Sequence, residues 1–153
     1  MNIFVVDENP LVAAKALCDK HIVKMPLETA QILSTVSYLR GFSAPYKPTH
    51  QRHPCVLWAN QTLANWNWLV EHGIALCQEY SQRYKKTHKS LEVIQWCKNQ
   101  GGKPNSGILT PFVLAMPEEY HRATPADSYQ AYYHSKAKFA KWNYTSKPAF
   151  WKL

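Results

Sequence analysis

The sequence predicts an all-α protein that folds as one compact domain, with about three long helices joined by short helices and long loops. Apolar residues recur at helical spacing over two long stretches, 11–39 and 55–84. Apart from Pro26, every proline lies outside those stretches. With 153 residues, 46% of them hydrophobic, the chain can bury one core, so we expect a single domain over 1–153.

The first helical stretch opens with a capping signal. Asn9 can cap a helix, and Pro10 suits the first helical position. We expect the helix to run to Leu39 and to stop at Gly41, with a kink or restart at Pro26, which lacks the backbone N–H. Residues 1–6, which precede it, are an apolar run and form either a strand or a packed arm.

The later helices are predicted from similar signals. A proline-rich loop over 44–54 precedes the second long helix, 55–84, and Ser90 is expected to cap a short helix that ends near Lys98. The order of Thr124, Pro125 and Asp127 is that of a helix start, so the last helix should cover 128–142.

The charge of the chain favours a polyanionic partner. The net charge is +8 and the sequence pI is about 9.4, which suggests nucleic acid, although many proteins are basic for solubility alone. The four cysteines form no Cys-x-x-Cys pair, which is typical of free cytoplasmic thiols rather than of a disulfide scaffold or a zinc ribbon. No apolar run approaches the roughly 18 residues of a spanning helix, so we expect no membrane contact.

A polar stripe is predicted on the first long helix. Its members are spaced by three, four and three positions and therefore share one helix face: His21, Lys24, Glu28 and Gln31. The stripe is either a solvated face with one Lys24–Glu28 ion pair or the wall of a cleft that holds catalytic groups. The opposite face, with Ile22, Val23, Leu33 and Val36, should enter the core.

The loop before the second long helix concentrates basic side chains. His50 and His53, with Cys55 nearby, have the donor atoms of a zinc site, but no second ligand pair stands at a suitable spacing. We therefore expect no metal here and instead interpret His50, Arg52 and His53 as a basic loop that binds phosphate or a base edge.

The C-terminal segment combines lysines with aromatic residues and contains no acidic residue from 128 to 153. Cations bind phosphates and flat rings stack on unpaired bases, so this pattern predicts a nucleic-acid surface. Some of these rings could equally be core residues of an amphipathic helix. A basic run over 83–89 could extend the surface. The expected DNA contacts are Lys85, Lys86, Lys136, Lys138, Lys141, Trp142, Tyr144 and Lys147.

Three segments, in the same order, resemble the phage pyrimidine-dimer DNA glycosylase/AP lyase family, the all-helical enzymes known as endonuclease V of T-even phages. Residues 19–28, Asp-Lys-His-Ile-Val-Lys-Met-Pro-Leu-Glu, resemble the early helix of that family and place Glu28 at its catalytic glutamate. Residues 54–84 are similar to its proline-led central helix, and 108–133 to its late loop and last helix.

The resemblance implies a DNA repair enzyme that acts on damaged or modified pyrimidines in double-stranded DNA, as a monomer without a cofactor or an obligate protein partner. An amine attacks the sugar C1′, expels the base and forms an imine, while Glu28 assists and His21 lies beside it. Substrate binding is expected from Gln31, His50, Arg52, His53 and Asn67.

The sequence also departs from the family. Its nucleophile is the amine of a small residue exposed by removal of the initiator Met, whereas Asn2 is bulky and should retain Met1. The nucleophile is then the α-amine of Met1, the side chain of Lys24, or water activated by Glu28. Leu27 and Gln31 stand where the family has arginines.

Two other functions remain open at this point. One is an enzyme of the same fold that alters bases, nucleotides or RNA without cutting the glycosidic bond. The other is a non-catalytic DNA-binding module, which has no need of a histidine, a lysine and a glutamate in one cleft.

Overall fold

The computed structural model describes residues 1–152 and confirms the all-α prediction, since no strand occurs among them. Two helices are long, at 21 and 22 residues, and the others are shorter. The elements in chain order are α1 (Pro10–Ala16), α2 (Asp19–Leu39), α3 (Pro54–Ala59), α4 (Leu63–Tyr84), α5 (Ser90–Gln100), a single 3-10 turn (Glu118–Tyr120) and α6 (Pro125–His134).

The long helices α2 and α4 pack against each other at the centre, with α1 against α4 and α5 against both. Gly73 on α4 permits this close approach, because a Cβ there would lie 2.8 Å from Cγ2 of Thr29 and 3.0 Å from Cδ1 of Ile94. Large side chains such as Trp66 and Leu33 fill the space between the helices and are fully buried. The surface of α2 that faces away from α4 and α5 is therefore left for the site.

The break in the first helical stretch lies at Leu17 and Cys18, and the helix does not restart at Pro26. Pro26 sits inside an uninterrupted α2, whereas Leu17 and Cys18 have extended backbones. Distant partners stabilise this turn: the carbonyl of Leu17 accepts from Nη1 of Arg83 at 2.8 Å, and the N–H of Cys18 donates to the hydroxyl of Tyr133 at 2.9 Å. The turn fixes where α2 begins and so orients its polar stripe.

The second helical stretch is two helices rather than one. It stops after α3 at Asn60 and restarts with α4, where Oγ1 of Thr62 caps the backbone N–H of Asn65 at 3.1 Å. Of the expected caps, Asn9 and Thr124 are confirmed, while Ser90 is the first residue of α5 and not its cap. On α2, Val23 is 45% exposed, so its expected place in the core is also wrong.

The chain after α6 folds back onto the start of α2. The last helix ends at His134, earlier than the expected 142, and the following residues turn. The carbonyl of Lys141 accepts from the N–H of Asp19 at 2.8 Å, and Oδ2 of Asp19 accepts from the N–H of Asn143 at 2.7 Å. These bonds give the carbonyl of Lys141 and the N–H of Asn143 partners outside any helix.

Residues 1–6 form a packed arm and not a strand. Ile3, Val5 and Val6 are buried, and Nε2 of Gln130 on α6 donates to the carbonyl of Val6 at 3.0 Å. The arm therefore lies between α2 and α6 and carries residue 1 to the polar stripe of α2. Within residues 1–152, no helix has both the length and the apolar character that crossing a bilayer requires.

Candidate active site

A cavity of about 270 Å³ lies where the N-terminal arm meets α2 and the end of α6. It brings three residues of the polar stripe, His21, Lys24 and Glu28, together with Met1. Its walls are Met1, Asn2, Phe4, His21, Lys24, Met25, Glu28, Tyr132, Lys136 and Phe139. The stripe is thus part of a cleft and not simply a solvated helix face.

Glu28 is the acidic centre of this cavity and is only 7% exposed. Its Oε1 accepts from the backbone N–H of Asn2 at 3.0 Å and lies 3.4 Å from the amino nitrogen of Met1. Its Oε2 lies 3.6 Å from Nζ of Lys24, one turn away on α2. One buried carboxylate is therefore in contact with two amines.

The two amines differ in their surroundings. The side chain of Met1 is buried, while the residue as a whole is half-buried, so the exposure belongs to its amino end. The side chain of Lys24 is 66% exposed. The α-amine is thus held against the carboxylate by the buried arm, whereas the lysine ammonium reaches Glu28 from solvent.

Asn2 holds the arm in place, a role that was not predicted. Its side-chain Oδ1 accepts from the N–H groups of Ile3 and Phe4 at 2.7 and 2.9 Å, and its Nδ2 donates to the carbonyl of Ala115 at 2.8 Å. Phe4 has a φ of 42°, a left-handed conformation that costs free energy in a non-glycine residue. These bonds offset that cost and direct the amino end towards Glu28.

His21 is a neutral histidine in the wall of the cavity. Burial lowers its pKa to about 4, and the positive charges of nearby lysines act in the same direction. Its Nδ1 lies 2.7 Å from the hydroxyl of Tyr133, and its ring stacks on Phe4 with centroids 4.5 Å apart. The imidazole is thus held on one side by a hydroxyl and on its face by an aromatic ring.

Aromatic rings and lysines line the rest of the cavity. The rings of Phe4 and Tyr132 are nearly parallel, with centroids 6.1 Å apart, and Phe139 meets His21 edge-on at 5.4 Å. Nζ of Lys136 lies 4.1 Å from the centroid of the Tyr132 ring. Flat rings beside cations suit a nucleotide, whose base stacks and whose phosphates are anionic.

The basic loop borders this site. His50, Arg52 and His53 line a separate, open depression with Pro48, Thr49 and Gln51. Burial lowers the pKa of His53, and the positive Met1 amine, the next largest cause, adds to this effect. His53 therefore lies within electrostatic reach of the α-amine of Met1.

Cys55 follows this loop but is not a candidate nucleophile. Its side chain is fully buried, and burial raises the pKa of the thiol to about 12, so that it stays protonated at neutral pH. Within residues 1–152, no group of three histidine, cysteine or acidic side chains is placed to hold a metal ion.

Three residues lie away from where we expected them. Gln31 lines a different surface depression beside Tyr46, because ten positions along α2 carry it past the cavity. Asn67 is exposed on α4 and is not part of the cavity wall. Trp142 is only 8% exposed, since its indole packs into the core and Nε1 donates to the carbonyl of Ala16 at 3.1 Å. Trp142 therefore offers no stacking surface to DNA.

The other expected DNA contacts remain accessible. Lys136 is half-buried at the mouth of the cavity. The exposed ones are Lys85, Lys86, Lys138, Lys141, Tyr144 and Lys147.

Fold and cavity together define a small helical protein in which a buried carboxylate and an α-amine meet in an aromatic, lysine-lined site. The sequence profile of the pyrimidine dimer DNA glycosylase family matches residues 1–92, well over half of the chain. The chain therefore belongs to the pyrimidine dimer DNA glycosylase family. Comparison with curated proteins and comparison with solved structures each gave no significant match.

Membership identifies the chain as a DNA glycosylase of the DNA repair class, and hence as a DNA-binding protein. The matched residues include the arm and the whole of α2, and therefore Met1, His21, Lys24 and Glu28. Tyr132, Tyr133, Lys136 and Phe139 lie outside the match but complete the same site.

Proposed function

We propose that the chain is a glycosylase with AP lyase activity, which removes a damaged or modified pyrimidine from double-stranded DNA with the α-amine of Met1 as nucleophile and Glu28 as its partner. The observation that carries this proposal is the 3.4 Å approach of the Met1 amino nitrogen to Oε1 of the buried Glu28. The enzyme acts as a monomer and as one domain over 1–153.

The reaction begins with an extruded nucleotide in the aromatic cavity. The neutral amine attacks the sugar C1′, and the C1′–N1 bond breaks with its electron pair leaving on the base. Glu28 takes the proton that the amine loses on bonding. Departure of the ring oxygen from C1′ then opens the sugar and leaves an imine between the protein and the DNA. Loss of a C2′ proton from this imine expels the 3′ phosphate.

Met1 is favoured over Lys24 as the amine on two grounds. An α-amine has a reference pKa of about 7.7–8.0 and so keeps a neutral fraction at pH 7, whereas that of a lysine is about 10.4. Desolvation is what activates a lysine, and the side chain of Lys24 is 66% exposed. Lys24 instead stabilises the carboxylate of Glu28 from the solvent side.

Glu28 is suited to two tasks in succession. As a carboxylate it stabilises the positive charge that develops at the sugar carbon, and burial strengthens this interaction because little water competes. It also accepts the amine proton, since Oε1 faces that nitrogen. The N–H of Asn2 fixes the carboxylate orientation between these tasks.

Borohydride trapping tests the mechanism. The protein is incubated with a duplex that carries an abasic site, and with one that carries a pyrimidine dimer, in the presence of borohydride, and the adduct is digested for mass spectrometry. We expect a covalent adduct on the amino end of the peptide that contains residue 1. An adduct on Lys24 would overturn the choice of amine. Base release without any adduct would instead mean that Glu28 activates water.

DNA binding is assigned to the exposed lysines on either side of the cavity and to the basic loop. The absence of arginine at positions 27 and 31 leaves Arg52 as the exposed guanidinium of the open depression that His53 also lines. We therefore assign to Arg52 a bidentate contact with phosphate or with a base edge, which the planar fork of a guanidinium can make. Arg52→Lys keeps the charge but loses the planar fork, and should weaken lesion binding.

A further inference from the structure

We infer that Tyr133 is a positioning residue: its hydroxyl fixes His21 as a neutral imidazole with the proton on Nε2, and this N–H donates to the negative charge that develops on the departing base. The inference rests on the proposed glycosylase function. It concerns base release alone and leaves later strand cleavage to the amine and Glu28.

The direction of the hydrogen bond between Tyr133 and His21 is the core of the inference. The backbone N–H of Cys18 can only donate, so the Tyr133 oxygen accepts that bond at 2.9 Å. Burial raises the pKa of Tyr133, so its hydroxyl keeps its proton. The inference gives that proton to Nδ1 of His21, 2.7 Å away. With Nδ1 as the acceptor, the one proton of the neutral ring is on Nε2.

The Nε2 atom of His21 faces the cavity. The ring forms part of the cavity wall. Within residues 1–152 no side chain or backbone group pairs with Nε2, yet the atom is not among the fully buried unpaired ones, so it keeps contact with solvent. A substrate atom that enters the cavity can therefore reach Nε2 of His21 without displacing a protein partner.

A neutral donor suits the departing pyrimidine. When the C1′–N1 bond breaks, the base takes the electron pair, and the negative charge is shared between N1 and a ring carbonyl oxygen. A fixed N–H directed at that oxygen stabilises the charge as it forms, without a proton having to be transferred. Burial of His21 beside three lysines keeps the imidazole neutral, so its hydrogen bond is set by the tyrosine and does not change with pH above about 5.

The two steps of the reaction separate this role from a merely structural one. Removal of a base is measured on a lesion-bearing duplex, and strand cleavage is measured on a duplex with a preformed abasic site, which has no base to expel. Tyr133→Phe should lower kcat for base release by roughly 10- to 100-fold with little change in KM. Strand cleavage at the abasic site, and its borohydride adduct, should stay within about twofold of wild type.

Tyr129→Phe is the matched control. Tyr129 lies on the same helix, is equally buried, and has a hydroxyl bonded to the backbone at Val113 and Ala115 rather than to His21. Loosening of α6 by loss of a buried hydroxyl should affect both steps alike in this variant. Only Tyr133→Phe should change the ratio of the two rates.

A second measurement does not depend on turnover. Nitrogen-15 spectra of the imidazoles should show His21 protonated on Nε2 at pH 7 in the wild type, and a mixture of the two neutral forms in Tyr133→Phe. Protonation on Nδ1 in the wild type would overturn the inference. So would an equal loss of base release and strand cleavage in Tyr133→Phe. Absence of both base release and an adduct in the wild type would instead refute the proposed glycosylase function itself.

Discussion

At the scale of single residues, the site depends on side chains that fix other groups as much as on the groups to which we assign the chemistry. Glu28 faces the amine because the N–H of Asn2 holds one of its oxygens. The amine is in turn directed by the side chain of Asn2, which crosses from the arm to Ala115. Substitutions at these two positions should therefore have different consequences.

Glu28→Gln should abolish turnover and leave DNA binding largely intact. The amide retains the shape and can still accept from Asn2, but it carries no charge and is a poor proton acceptor. We expect kcat for base release to fall by at least about 100-fold, in line with the usual contribution of a general base. Gel-shift titration against the same duplex is the companion measurement, and a parallel loss of affinity would indicate a structural role instead.

Asn2→Leu should weaken the arm without exposing a new amine, because leucine is also bulky and should retain Met1. The variant loses three side-chain hydrogen bonds and leaves buried backbone groups unpaired. We expect a loss of roughly 1–3 kcal/mol in the free energy of unfolding and a slower imine-forming step. Urea unfolding and the rate of borohydride trapping measure the two effects; an unchanged trapping rate would contradict the positioning role of Asn2.

At the scale of elements, local signals in the sequence were sufficient only where the structure is also local. Asn9 and Thr124 cap helices through contacts within three residues, and both were predicted. The turn at Leu17 was not, because its partners, Arg83 and Tyr133, lie far along the chain. The same holds for the site: Glu28 stood out by its spacing on α2, whereas the roles of Asn2 and Tyr133 depend on folding.

Arg83 is the residue on which the α1–α2 turn depends. Its buried guanidinium lies 3.0 Å from Glu79 and 3.2 Å from Asp19, and also donates to the carbonyls of Lys15 and Leu17. Arg83→Met removes one charge and leaves the buried carboxylates of Glu79 and Asp19 without their cation. We expect a loss of about 3–5 kcal/mol in the free energy of unfolding, measured by urea titration. Glu92→Gln, a charge change on α5, should cost far less.

At the scale of the whole molecule, buried histidines make stability depend on pH. Burial lowers the pKa values of both His21 and His72 to about 4, against 6.5 for an unperturbed histidine. Below pH 6.5 the unfolded chain therefore binds protons that the folded chain excludes, so stability is complete above pH 6.5 and falls as the pH approaches 4.

Each histidine contributes a loss of about 3 kcal/mol over that interval. Thermal unfolding at a series of pH values measures the slope. His72→Gln removes one of two similar contributions and should therefore make the slope shallower by about half. His72 is chosen for this test because, unlike His21, it lies outside the cavity. If His72→Gln leaves the pH dependence of stability unchanged, the buried neutral state of His72 is not a cause of the loss of stability in acid.

The positive surface should set the salt dependence of DNA binding. Each phosphate that a cation no longer neutralises lowers the slope of log Kd against log salt by about 0.9. Lys138→Gln with Lys141→Gln should therefore reduce the slope by nearly 2. Lys98→Gln, which removes an exposed charge on α5 to which no DNA contact is assigned, is the control. An equal effect of the control would mean that net charge alone governs binding.

Because the end of the chain returns to Asp19, the site needs both the N-terminal and the C-terminal part of the sequence. The residues that match the family end at 92. Lys141 and Asn143, far beyond that point, nevertheless form hydrogen bonds with Asp19 in the first turn of α2, and Tyr133 bonds Cys18 just before it. A protease that cut in the long loop between α5 and α6 would leave two fragments, neither of which contains a whole site. Their reassociation, rather than either fragment, would be needed to restore activity.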